Sequence, residues 1–120
     1  MGPAWLFLFV GSSVEIAIPH ASVYRILHRG APEFAAHRAE ALDLTGFLDV
    51  AGDPSVPEVV VLLTSGKVWL AGDAALQRPG EEVSYLALRP ELFAGDRPWC
   101  RGVLVGKGRW AFVVEESAVA

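Results

Sequence analysis

The segment Trp5-Leu6-Phe7-Leu8-Phe9-Val10 contains no polar residue. Its aromatic and aliphatic content suits a β-strand. Successive side chains of a strand point to opposite faces, so Trp5, Phe7 and Phe9 face one way and Leu6, Leu8 and Val10 the other. Near the other end of the chain, Trp110, Phe112 and Val114 oppose Ala111 and Val113 in the same manner. A strand with one face in water normally alternates apolar and polar residues. These do not, so both faces need cover from the rest of the chain, from a helix or from another protein. The chain has 120 residues, enough for one domain. At 52% hydrophobic residues and a mean hydropathy of +0.37 it has ample material to bury. A domain this small hides only about two-thirds of its unfolded surface. Some of the apolar excess is therefore expected to meet a partner.

Turn signals divide the chain into short segments. Gly11-Ser12-Ser13 separates Trp5–Val10 from a second strand, Val14–Ile18, which predicts a hairpin ended by Pro19. His20–His28 fits either a helical turn or a strand. Pro32–Val50 is the least strand-like part, and local propensity favours a helix over about Glu33–Leu42, with Pro32 at its first position and Glu33 complementing its dipole. Residues 52–57 read as a loop or a linker between subdomains. Beyond them come strands Val59–Leu63, Val68–Ala71, Val83–Leu88, Gly102–Val105 and Arg109–Val114, with a single helical turn at Pro90–Phe93. Many short strands with frequent turns predict a small barrel or sandwich.

Several function classes find no support. No apolar run approaches the roughly 20 residues of a membrane-spanning helix, and the start of the chain lacks a basic leader, so a cytoplasmic protein without membrane insertion is expected. Ten basic against 14 acidic residues, with no basic stripe, argue against a nucleic-acid partner. A lone cysteine, Cys100, and three histidines without ligand spacing argue against a metal site. Cys100 reads as a small buried hydrophobe. Ser22 lies near His20, but no nucleophile elbow surrounds it. The glycines form no phosphate loop. Glu81-Glu82 and Glu115-Glu116 read as solvated turn residues. The expectation is a protein that is not an enzyme, with no cofactor.

The order of segments resembles that of the CheW-like coupling domain of bacterial chemosensory systems. Trp5–Gly11 and Val14–Pro19 are similar to its first two strands. Glu58–Leu63 followed by Ser65–Asp73 resembles a strand–turn–strand ending in Asp. Arg89–Phe93 resembles its P-E-F segment, and Cys100–Val114 its closing hairpin. Ala41–Leu44 corresponds to its V-x-D-L. The resemblance implies a mainly β fold of two SH3-like β-barrel subdomains, about 5–52 and 58–116, within one domain spanning 1–120. It also implies a non-enzymatic adaptor that couples chemoreceptor cytoplasmic tips to the regulatory domain of a CheA-type histidine kinase. Two departures stand out. The Glu of the family's V-x-E-[IV] is replaced by Arg25, and a charged rim residue tunes partner choice. The stretch between Leu27 and Asp43 is too short for the family's middle strands, so the first subdomain is expected to be reduced, with a short helix in the 33–48 region and Arg38 as a remnant. This is the kind of reduction found in accessory members of Frz-type systems. The partner-binding residues expected are Val23, Arg25, Ile26, Arg38, Asp73 and Leu76. Two other readings stay open: a small-ligand-binding β-barrel, and a module that self-associates as a homodimer through an open sheet edge.

Overall fold

The computed structural model describes residues 4–11, 14–52, 57–87 and 99–119. They form a mainly β molecule with two antiparallel-rich sheets and two short helices. Its radius of gyration is 14.0 Å, close to the ~13.6 Å of a compact chain this long. The first hairpin forms as expected, from β1 (Trp5–Val10) and β2 (Val14–Pro19), with Val10 opposite Val14. A 3-10 turn (His20–Ser22) then leads into β3 (Val23–His28), so both alternatives for His20–His28 are realised in succession.

The helical region is split. Helix α1 is Phe34–Glu40, within the expected span; Glu33 stands at its N-cap, and Phe34 rather than Pro32 takes the first helical position. A two-residue strand β4 (Leu42–Asp43) interrupts, pairing parallel with a later strand. Helix α2 (Leu44–Leu48) follows, because the Asp43 carboxylate accepts from the Thr45 backbone N–H at 3.0 Å and caps it. The remaining strands are β5 (Val59–Leu63), β6 (Val68–Ala71), β7 (Asp73–Leu76), β8 (Val83–Ala87), β9 (Cys100–Gly106) and β10 (Arg109–Val114). The expected turn at Pro90–Phe93, Leu88 at the end of its strand, Ser12-Ser13 and most of the 52–57 loop lie outside the described residues.

Strand order is β7-β1-β2-β10-β9-β8 in one sheet and β3-β5-β6-β4 in the other. Among the described residues neither sheet closes on itself. The division expected near residues 52–58 is not where the sheets divide: β5 and β6 pair with β3 and β4 from before it, while β1 and β2 join the later strands. Hydrogen-bonding demand explains this. The β1–β2 hairpin finds its long-range partners in β7 and, through a short parallel ladder (Ile16 with Phe112, Ala17 with Val113), in β10.

Of the two-faced strands, β1 is covered from within the chain and β10 only in part, since Trp110 stays 59% exposed. Leu6, Leu8, Val10, Ile16 and Ile18 pack against Val59, Val61, Leu63, Trp69 and Ala71 of the other sheet in one central core. The opposite face of the six-stranded sheet buries Phe7, Ala17, Leu104, Ala111 and Val113. That sheet curls strongly. In a flat sheet four strand spacings would put β1 and β8 about 19 Å apart, yet the Trp5 and Tyr85 rings stack at 6.4 Å. On the four-stranded sheet, α1 supplies the outer cover, with Phe34 against Leu27, Val60 and Leu70.

Candidate interaction surface

Among the described residues only six large apolar side chains are exposed, which makes them informative. Pairing across β8, β9 and β10 puts Ser84, Val105 and Trp110 in one row and Leu86, Val103 and Phe112 in the next, all on the same face. This is the face that carries the central core farther along the sheet. There the four-stranded sheet covers it; over β8, β9 and the start of β10 it is open. Trp110 is 59% exposed, Leu86 55% and Val105 40%. Trp110 meets Phe112 edge-on at 5.0 Å, and Phe112 meets Trp99 edge-on at 6.0 Å, so the exposed row is anchored in the core.

Beside Trp110 the sheet forks. The β2–β10 ladder spans only two residue pairs, and where the strands diverge a cleft of about 260 Å³ opens between Val14, Glu15, Gly108, Arg109, Trp110 and Phe112. Arg109 lies 4.3 Å from the Phe7 ring centroid and bridges two carboxylates: its Nε is 3.1 Å from Glu15 Oε1 and a terminal nitrogen donates to Glu81 Oε2 at 3.0 Å. Glu81 is thus not the solvated turn residue expected. The hydrogen bond from the Arg78 backbone, with help from Arg109, holds its carboxyl below the usual range. Glu15 goes the other way. Burial, aided by the Glu81 charge and opposed by Arg109, pushes its carboxyl up. Its Oε1 is buried and, although near Arg109, is not aligned for a hydrogen bond.

A group whose folded-state pKa is raised contributes stability below its unfolded pKa and loses it as pH rises through the folded value. Ionised Glu15 therefore weighs against the fold at neutral pH. Glu15→Gln is expected to melt no lower than the native chain at pH 7. That advantage should shrink as the pH falls through the ordinary carboxylate range; thermal melts of both chains at pH 7 and near pH 4 check this.

The six residues expected to bind partners are divided between two places. Val23, Arg25 and Ile26 lie on β3, an edge strand, with Arg38 nearby on α1; Asp73 and Leu76 lie on β7, at an edge of the other sheet. Val23 and Ile26 pack against the central core. Arg25 is exposed and reaches Glu33 at 3.5 Å, a contact of small energetic weight. Arg38 grips Glu58 with two bonds of 3.0 and 2.9 Å, and Arg29 shares that carboxylate at 3.2 Å, so Glu58 is held below the usual range, first by the Arg38 hydrogen bonds. Arg38 thus ties α1 to the residue preceding β5. Asp73 accepts from the Ala74 backbone N–H, and Leu76 is 45% exposed. Cys100 is partly buried against the central core, its Sγ 3.6 Å from the Gly102 carbonyl. The exposed patch of Leu86, Val105 and Trp110 was missed, because nothing local separates an uncovered apolar strand from a covered one.

Among the described residues no helix is long and apolar enough to cross a membrane, and no group of three or more His, Cys, Asp or Glu could hold a metal ion. No protein-family model and no curated protein matches the chain.

Proposed function

We propose that the chain is a non-enzymatic adaptor of a bacterial chemosensory array, a reduced CheW-like domain of two SH3-like subdomains that couples chemoreceptor tips to the regulatory domain of a CheA-type histidine kinase. It works in the cytoplasm, at the receptor array. The reading is supported by the order of its segments and by a mainly β fold built as two sheets. One observation carries the binding role: Leu86, Val105 and Trp110 stand open together on one face of the six-stranded sheet, beside Phe112 and the edge of the central core. An exposed aromatic anchored by core neighbours is the kind of residue that dominates binding energy at an interface.

The test is calorimetric titration of the chain with receptor cytoplasmic tips and, separately, with the kinase regulatory domain. Binding to at least one is expected, and Trp110→Ala is expected to weaken it by about 30-fold or more. Binding to neither removes the adaptor reading. Binding to the receptor alone assigns the chain to an accessory role without kinase contact, consistent with Arg25 standing where the family has Glu. The ligand-barrel alternative gains little, since Phe7, Ala17, Leu104, Ala111 and Val113 fill the concave side of the curled sheet.

A further inference from the structure

We draw no further inference here: the strongest candidate, the cleft of about 260 Å³ where β2 and β10 diverge beside Trp110, carries nothing because Arg109 there already pairs with Glu15 and with Glu81, and nothing in the structure shows what would fill it.

Discussion

Trp69→Ala is expected to cost about 3–5 kcal/mol, a large share of the roughly 5–15 kcal/mol that holds a typical domain. Trp69 is fully buried on β6, opposite Val61 on β5 and beside Leu42 on β4, in the core shared by both sheets. Removing its ring leaves a void that two facing sheets cannot both collapse into. Trp69→Phe separates volume from polarity. The indole Nε1 is buried without a hydrogen-bond partner, and an unmade bond of that kind costs about 1–3 kcal/mol. The Phe chain gives up part of the ring but also the unpaired donor, so it should lose much less than the Ala chain. Urea denaturation of the three chains decides. An Ala chain within about 1 kcal/mol of native would mean that the central core is not where stability resides.

Lys67→Met is expected to lose about 1.5–3 kcal/mol, the weight of charge-assisted hydrogen bonds. Lys67 follows the turn between β5 and β6, and its ammonium donates to the carbonyls of Glu116 and Val119 at 2.7 and 2.8 Å. These bonds pin the 3-10 turn Glu116–Ala118 and seat Val119, 2% exposed, in the central core. The loss should be local before it is global. Amide hydrogen exchange at residues 116–119 should rise sharply in the Met chain while β5 and β6 stay protected. Uniform exchange across both regions would show that Lys67 acts only through overall stability.

Strands were readable from sequence wherever turn residues bracketed an apolar run. Val59–Leu63, Val68–Ala71 and Arg109–Val114 lie where their composition puts them. The demand for cover on both faces was readable too: β1 meets it inside the chain, whereas β10 leaves Trp110 exposed. What could not be read depends on distant partners. Leu42–Asp43 looks helical by its neighbours and becomes strand because β6 offers a parallel ladder. Asp73–Leu76 carries little strand signal and is drawn in by β1. Glu81 sits in a turn of polar residues, and only the fold brings Arg109 to it. The exposed patch at Leu86, Val105 and Trp110 was illegible for a related reason: their sequence asks for burial, and only the extent of the other sheet shows that they do not get it.

The four-stranded sheet draws its strands from residues 23–71, whereas the six-stranded sheet needs Ile16 to meet Phe112. On the ribosome these are different problems. The first can assemble while synthesis continues; in the second, β2 must wait for nearly the whole domain before its outer edge is paired. Contacts so distant in sequence slow folding, and an apolar hairpin held open meanwhile is exposed to aggregation. The early strands of this chain are therefore expected to need shielding during translation, and a stall before β10 should leave a nascent chain that chaperones recognise.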